Sequence, residues 1–186
     1  MIIDSKKIFL EDLEFLKYDV HKSHFLLDKK EHYRLLTYIT KLYNDIVILD
    51  LGTADGYSCI SLAQNMRNKV ITYDILDKKL PFIDEYKNVT FKKLDVNEEN
   101  EEVIKSAKII LLDIDPHDGL QEKKFIDLLE RINYKGYVIC DDIHLNESMQ
   151  KWWDNVKFEK YDLTNVGHWS GTGLINFFND DNFKII

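Results

Sequence analysis

From residue 46 onward the chain alternates between short apolar runs and longer amphipathic stretches. The runs have the length of buried strands and the stretches have the length of helices, an alternation that predicts a parallel sheet with crossover helices. We assign five parallel strands, at residues 46–49, 70–73, 89–94, 109–112 and 137–140. The predicted helices between them cover residues 57–66, 98–106 and 120–132, with a short one near 81–86.

The two ends of the chain follow other patterns. Residues 8–16 and 29–43 carry helical stripes of apolar side chains, which we expect to pack on the sheet or to form a lid over a ligand. Residues 145–156 predict a helix, followed by strand-like runs at 158–163 and 174–178. The loop between these runs is too short for a crossover helix, so the two strands should pair as an antiparallel hairpin. The predicted fold is α/β and Rossmann-like: a seven-stranded, mostly parallel sheet with an antiparallel C-terminal hairpin and helices on both faces.

Composition narrows the class of protein. The 186 residues predict a single domain, 1–186, with N-terminal helices over 1–45 and the core over 46–186. The formal net charge of −8 argues against a dedicated nucleic-acid binder, because phosphate contacts need clustered Lys and Arg. With no long apolar run and no leader-like N-terminus, we expect a cytoplasmic protein without a membrane partner. Cys59 and Cys140 should be buried thiols in a reducing compartment; a homo-oligomer is left open.

The stretch 47–58, VILDLGTADGYS, reads as a buried strand, a glycine-containing turn and a helix start. Glycines let a backbone approach a ligand closely, and a helix N-terminus favours anionic groups, so a nucleotide-like ligand is expected. Asp74 lies about 20 residues beyond Gly52, where a carboxylate can accept hydrogen bonds from ribose hydroxyls. The turn carries Gly52, Ala54 and Gly56 instead of G-x-G-x-x-G, which favours a mononucleoside over a dinucleotide.

Acidic residues stand at the end of each predicted parallel strand. The carboxyl ends of parallel strands meet at one edge of a sheet, where ligands bind at the point at which strand order reverses. Any one of these carboxylates is explained by capping or solvation, but five in succession predict a ligand with a ribose, an amine and a cation. The residues concerned are Asp50, Asp74, Asp95, Asp113 and the pair Asp141 and Asp142.

The motif from Asp50 to Ser58 resembles the first motif of class I S-adenosylmethionine-dependent methyltransferases. Its Gly-Tyr-Ser ending is similar to the catechol and caffeoyl-CoA O-methyltransferase branch, and the resemblance covers about residues 46–178. It implies S-adenosyl-L-methionine as cofactor, with the turn around the methionine part, Ser58 on its carboxylate and Asp74 on the ribose. The residues implied to bind the cofactor are Asp50, Gly52, Thr53, Ala54, Asp55, Gly56, Tyr57, Ser58, Asp74, Ile75, Asp95, Val96 and Asp113.

The metal-dependent branch of this family implies a second site. By similarity Asp113, Asp141 and Asp142 would bind Mg²⁺ or a similar divalent cation. The residues alone also favour a hard cation, because it prefers oxygen ligands and would offset the repulsion between neighbouring carboxylates. Such an ion would lower the pKa of a substrate hydroxyl. The alternative is a solvated acidic rim without an ion.

Two departures from that branch leave the catalytic base open. Catechol-type enzymes carry a lysine three residues after the first metal aspartate, where this chain has Pro116, and Asp142 replaces their asparagine, as in macrolide-sugar O-methyltransferases. His117 and His144 are the candidate bases, since histidine titrates near neutral pH, or they orient neighbouring groups by hydrogen bonds. Asp115 is a further catalytic or substrate-contact candidate. His21, His24 and His32 are expected to be solvated or to cap helices.

The predicted reaction is methyl transfer from S-adenosylmethionine to a hydroxyl of a small molecule, with a sugar or polyol preferred over a catechol. Trp169, in the glycine-rich loop 166–173, either stacks on the acceptor or covers the sheet edge. One alternative is a non-catalytic nucleotide-binding or scaffold subunit. A second, an NAD(P)-dependent oxidoreductase, is disfavoured by the glycine spacing.

Overall fold

The computed structural model describes residues 1–16, 32–178 and 183–186. Within these residues the strands are β1 (Ile2–Ile3), β2 (Val47–Leu51), β3 (Lys69–Asp74), β4 (Val89–Lys93), β5 (Ala107–Leu112), β6 (Tyr137–Asp141), β7 (Glu159–Asp162), β8 (Thr172–Asn176) and β9 (Lys184–Ile185). The α-helices are α1 (Ser5–Ile8), α2 (Tyr33–Lys41), α3 (Tyr57–Leu62), α4 (Glu101–Ser106), α5 (Leu120–Arg131) and α6 (Glu147–Asn155).

Seven of the described strands form the main sheet, in the order β4-β3-β2-β5-β6-β8-β7. The first five are parallel, and β8 runs antiparallel to both β6 and β7. The predicted α/β class, the five parallel strands and the terminal hairpin are therefore confirmed. Strand order reverses between β2 and β5, which places the predicted ligand edge at the ends of these two strands.

Successive side chains along the central strands point to opposite faces of the sheet, so the core is divided into two layers. Ile48, Leu111 and Ile139 face the side covered by α1, α2 and α3, whereas their sequence neighbours face the side covered by α4, α5 and α6. Asp50 and Asp141 keep the parity of Ile48 and Ile139 within their strands, which directs them toward the side of α2 and α3. This geometry decides which helices contribute side chains to the site.

Several predicted helices are shorter in the structure. The helix predicted over 57–66 ends at Leu62, and the side chains of Asn65 and Asn68 then bind backbone carbonyls at the end of α2. The helix predicted from residue 98 begins at Glu101, because the Asn100 side chain accepts a hydrogen bond from the Glu102 backbone N–H at 2.8 Å and caps it. A 3₁₀ turn, Val96–Glu98, precedes it.

The N-terminal stripe over 8–16 is not one helix. It is divided between the end of α1 at Ile8 and a 3₁₀ turn, Glu14–Leu16. The second predicted helix is represented by α2, and its predicted first residues, 29–31, lie outside the described residues. The sequence pattern also gave no sign of the parallel pairing of β1 with β9. No helix in the described ranges is long and apolar enough to cross a membrane.

Candidate functional site

The glycine turn after β2 is locked against the end of β5. Gly52 has φ +98°, and a Cβ placed there would lie 1.7 Å from the Asp113 carbonyl oxygen. Gly56 has φ +97°, and a Cβ there would meet the Ile83 side chain at 1.9 Å. Both positions therefore require glycine. The turn brings the end of β2 and the end of β5 into backbone contact at the switch point.

Asp74, the last residue of β3, ties this turn to the next strand. Its Oδ2 accepts a hydrogen bond from the Ala54 backbone N–H at 2.9 Å, and its Oδ1 accepts one from the Leu76 N–H at 2.9 Å. Each carboxylate oxygen keeps a further lone pair for a ligand. Ile75 follows with 66% of its surface exposed. The carboxylate and an apolar side chain thus stand at the open end of the turn.

Asp50 lies inside β2, fully buried below the same turn. Its Oδ2 accepts a hydrogen bond from Thr72 Oγ1 at 2.6 Å, whereas its Oδ1 is buried without a hydrogen-bond partner among the described residues. Burial raises the pKa of Asp50 to about 6, and hydrogen bonds from Thr72 and Ser58 offset part of that effect. A buried acceptor of this kind fits the amino group of a methionine-like ligand.

The other residues implied to bind the cofactor occupy varied positions. Thr53 and Tyr57 are buried, Asp55 is half-buried, and Ser58 is 6% exposed on α3. Asp95 caps the 3₁₀ turn after β4 by accepting a hydrogen bond from the Asn97 backbone N–H at 2.9 Å. Val96 is 5% exposed and packs in the core with α4 and α5. Asp95 therefore serves a capping role, whether or not it also contacts a ligand.

The carboxylates after β5 and β6 surround His117. His117 Nε2 lies 3.6 Å from Asp142 Oδ2, 3.6 Å from Asp115 Oδ1 and 3.9 Å from Asp113 Oδ1. The Asp115 side chain is 98% exposed. Burial and the neighbouring charge of Asp141 raise the pKa of Asp113 well above its usual range. Asp113 and Asp142, two of the three sequence-predicted metal residues, and one candidate base therefore lie together at this edge.

Backbone strain marks two of these residues. His117 has φ +54° and Asp142 has φ +59°, values that L-residues seldom adopt, although Asp and His tolerate them better than most. Strained non-glycine residues cluster at functional sites, because a strained backbone persists only where its surroundings hold it. The two strained residues contact one another, with His117 Nε2 3.6 Å from Asp142 Oδ2.

Asp141 faces the opposite direction, toward α2. His32 Nδ1 lies 3.1 Å from Asp141 Oδ1, and His168 Nδ1 lies 3.2 Å from the same oxygen. Although burial acts to raise it, the pKa of Asp141 is held below its usual range by His32 and His168. Of the groups of three His, Cys, Asp and Glu side chains that the structure describes, this is the one whose ligand atoms all lie within 4.8 Å of one another.

The prediction for His32 was wrong. It is 2% exposed and precedes α2 without a side-chain capping bond, so it is neither solvated nor a cap. His21 and His24 lie outside the described residues. Sequence reasoning also missed the roles of His168 and Ser170, and Ser170 Oγ contacts both His168 Nδ1 and Asp142 Oδ1. The only sequence feature that indicated a functional role for these two residues was their position in the Gly-His-Trp-Ser-Gly loop.

His144 has both ring nitrogens engaged elsewhere. Its Nδ1 lies 2.6 Å from Gln150 Oε1 and its Nε2 lies 2.8 Å from Asp162 Oδ2. Partial burial acts to lower its pKa, but the hydrogen bonds to Asp162 and Gln150 outweigh that effect and raise it. A histidine in this setting is poorly suited to accept a substrate proton. Of the two candidate bases, His117 is the one placed among the predicted metal residues.

The tryptophans separate into core and surface. Trp152 and Trp153 are 8% and 5% exposed, so both lie in the core. Trp169 is 63% exposed, and its ring centroid lies 5.8 Å from that of His168. The predicted buried state of Cys59 and Cys140 is confirmed, and both are free thiols. Trp169 is thus an exposed aromatic surface beside the histidine–aspartate cluster.

Comparison with solved structures places the fold among methyltransferases. The chain is similar to an S-adenosylhomocysteine-bound methyltransferase from Podospora anserina, at 11% identity and TM-score 0.58, over 92% of this chain and 85% of that one. It is similar to a candidate caffeoyl-CoA O-methyltransferase from Staphylococcus aureus, at 18% identity and TM-score 0.58, over 92% and 99%. It is also similar to a candidate rRNA methylase from Clostridium thermocellum, at 14% identity and TM-score 0.52, over 81% and 98%.

No protein-family model matches the sequence. No curated protein matches it either. At 11–18% identity these structural likenesses establish the fold alone. Because they include both O-methyltransferase and rRNA methylase candidates, any function has to be argued from the residues of this chain.

Proposed function

We propose that this chain transfers a methyl group from S-adenosylmethionine to a hydroxyl oxygen of a small molecule or sugar, assisted by a divalent cation. The observation that carries the proposal is the convergence of two sites on one sheet edge. The glycine turn with Asp50 and Asp74 lies on one side, and the cluster of Asp113, Asp141 and Asp142 lies on the other. The backbone contact between Gly52 and Asp113 joins the two.

The donor end is the better defined of the two. The free lone pairs of Asp74 would accept hydrogen bonds from ribose hydroxyls, and Asp50 Oδ1 would accept one from the methionine ammonium. The family resemblance adds Ser58 for the methionine carboxylate. The S-adenosylhomocysteine-bound neighbour supports this use of the fold.

The acceptor end needs a group that activates a hydroxyl. Held by Asp113, Asp141 and Asp142, a divalent cation would bind the acceptor oxygen and lower the pKa of its proton. His117 is our proposed base, because its Nε2 lies 3.9 Å from Asp113 Oδ1 and 3.6 Å from Asp142 Oδ2. The surrounding carboxylates would compensate the charge that the imidazole gains when it takes a proton. Methyl transfer then requires mainly that the two reactants are held in line.

A sugar or polyol fits the acceptor side better than a nucleic acid does. The net charge of −8 and the row of carboxylates would repel a phosphate backbone. Trp169 offers an exposed ring face on which a sugar ring could pack. Trp169 directly follows His168, whose Nδ1 lies 3.2 Å from Asp141 Oδ1.

Calorimetry with S-adenosylhomocysteine, NAD and NADP tests the donor assignment. We expect S-adenosylhomocysteine alone to bind, and Asp74→Ala to weaken it by about tenfold or more through the loss of the ribose hydrogen bonds. Asp77→Ala, an exposed aspartate on the same loop, is the matched control and should leave the affinity unchanged. Binding of a nicotinamide dinucleotide in its place would contradict the proposal.

Incubation with a labelled methyl donor and a panel of polyols, sugars and catechols tests the acceptor. We expect the label in an ether linkage of a sugar or polyol product. Turnover should be lost when a chelator removes divalent cations, and should return when a cation is added. Label found only on nitrogen or carbon acceptors would contradict the oxygen target while leaving the donor assignment intact.

A further inference from the structure

Three side chains from distant parts of the sequence converge on one oxygen atom. His32 comes from the start of α2, Asp141 from the end of β6, and His168 from the loop before β8. Both imidazole Nδ1 atoms approach Asp141 Oδ1, at 3.1 Å and 3.2 Å. All three residues are shielded from solvent: the side chains of His32, Asp141 and His168 are 2%, 6% and 12% exposed.

These separations suit a shared metal ion. First-row divalent ions bind imidazole nitrogen and carboxylate oxygen at roughly 2.1 Å, which puts neighbouring ligand atoms about 3.0–3.4 Å apart for angles between octahedral and tetrahedral. The two measured nitrogen–oxygen distances fall in that range. Both carboxylate–imidazole separations therefore fit a bound ion, and the three ligand atoms all lie within 4.8 Å of one another.

The hydrogen-bonding around His168 is overcrowded without an ion. Its Nδ1 has three oxygen neighbours, Asp141 Oδ1 at 3.2 Å, Asp142 Oδ1 at 3.3 Å and Ser170 Oγ at 2.8 Å. A single ring N–H cannot serve all of them. If His168 and Asp141 bound an ion, the Ser170 hydroxyl would still donate its hydrogen bond to Asp142, which it already contacts.

The ligand atoms, two imidazole nitrogens and a carboxylate oxygen, determine which class of metal ion is favoured. Mg²⁺ binds oxygen ligands and keeps several waters, so it gains little from imidazole. Two histidines and one carboxylate suit Fe²⁺, Mn²⁺, Co²⁺ or Zn²⁺, and leave positions open for a substrate oxygen. We propose that His32, Asp141 and His168 bind a first-row transition-metal ion in this chain. This site shares only Asp141 with the Asp113, Asp141 and Asp142 set proposed above, and metal binding by these three residues does not rest on the proposed function.

Cobalt titration of the chelator-treated, full-length protein tests the site without reference to activity. Co²⁺ bound by nitrogen and oxygen ligands gives visible absorption bands, and Zn²⁺ should displace it. We expect Co²⁺ and Zn²⁺ to bind at least about 100-fold more tightly than Mg²⁺. His32→Gln and His168→Gln should each weaken Co²⁺ binding on the order of 100-fold, because each removes one of three protein ligands. His144→Gln, the matched control, should leave the cobalt spectrum and affinity unchanged.

Equal affinities for Mg²⁺ and Co²⁺, or unchanged Co²⁺ binding in both His32→Gln and His168→Gln, would overturn the inference and leave the cluster as hydrogen-bonded side chains. Should a variant not fold, as judged by circular dichroism, X-ray absorption of the zinc-loaded wild-type protein decides instead. We expect scattering from two imidazoles, and a spectrum of oxygen ligands alone would refute the site. S-adenosylhomocysteine binding, measured on the same preparations, reports separately on the proposed function.

Discussion

A Cβ atom added to Gly52 would lie 1.7 Å from the carbonyl oxygen of Asp113. The obstacle is backbone, which cannot rotate away as a side chain can. The ends of β2 and β5 are therefore fixed to one another at a position that admits no side chain.

Gly52→Ala should consequently destabilise the protein by about 2–4 kcal/mol, since it combines a steric clash with a positive φ. The free energy of unfolding in urea measures the effect. Ala54→Gly, in the same turn, is the control: Ala54 has φ +43° and is exposed, so this change should cost less than about 1 kcal/mol. A Gly52→Ala protein as stable as the wild type would mean that the turn can move away from β5.

Asp50→Asn should stabilise the protein at pH 7.5. Burial raises the pKa of Asp50 from 3.8 to about 6, so the folded state binds this proton more tightly than the unfolded chain does. Stability from this group is therefore present at low pH and is lost as pH rises from about 4 to 6. At roughly 1.4 kcal/mol per pKa unit, the ionised carboxylate costs up to about 3 kcal/mol at neutral pH.

Urea unfolding of wild type and Asp50→Asn at pH 7.5 and pH 4 measures this difference. The variant should be the more stable protein at pH 7.5, and the two should converge at pH 4. Thr72→Val removes a hydrogen bond to Asp50 and keeps the charge, so it should destabilise at pH 7.5. A variant no more stable than the wild type at pH 7.5 would show that Asp50 is ionised at little cost.

His117→Gln should lower the turnover number for methyl transfer by on the order of 100-fold or more, the usual contribution of a general base. His144→Gln should change it only a few-fold, because both nitrogens of that ring already bind Gln150 and Asp162. Steady-state kinetics with the acceptor found by labelling make the comparison. The reverse order of effects would assign the base to His144.

Cys59 and Cys140 should not react with a thiol reagent such as DTNB in the folded protein. Both are fully buried, and burial raises the pKa of each thiol well above its usual value, so the reactive thiolate is absent. Thiol titration across a urea series should release both signals together with the loss of circular dichroism. Rapid labelling of either cysteine without denaturant would contradict the buried assignment.

The sheet could be predicted because its strands and their connections are marked by short, continuous stretches of sequence. Runs such as Ile109–Leu112 within β5 are fully apolar, and the loop between β7 and β8 is too short for anything but a hairpin. Helix ends were less well predicted, since capping side chains such as Asn100 compete with periodicity. Strands of two residues, as in β1 and β9, have no period to detect.

The histidine cluster could not be predicted for a different reason. The contact between His32 and Asp141 joins residues 109 apart in sequence, from elements of different type. The periodicity of apolar residues identifies a single helix or a single strand. It does not show which helix start will contact which strand end. The aspartates were found because parallel strands gather their ends by rule, whereas nothing in the chain indicates which helix will reach them.

The position of β8 has a consequence for how the protein folds. β8 lies between β6 and β7, and in the main sheet β7 pairs only with β8 among the described strands. The edge strand therefore cannot join until a strand later in the chain has docked on β6 through the pairing of Asp141 with Thr172. His168 and Ser170 precede that strand directly, so their contacts with Asp141 and Asp142 form only when it docks. A chain emerging from the ribosome can therefore form the glycine turn after β2 early, whereas the contacts of His168 and Ser170 with Asp141 and Asp142 are among its final folding events.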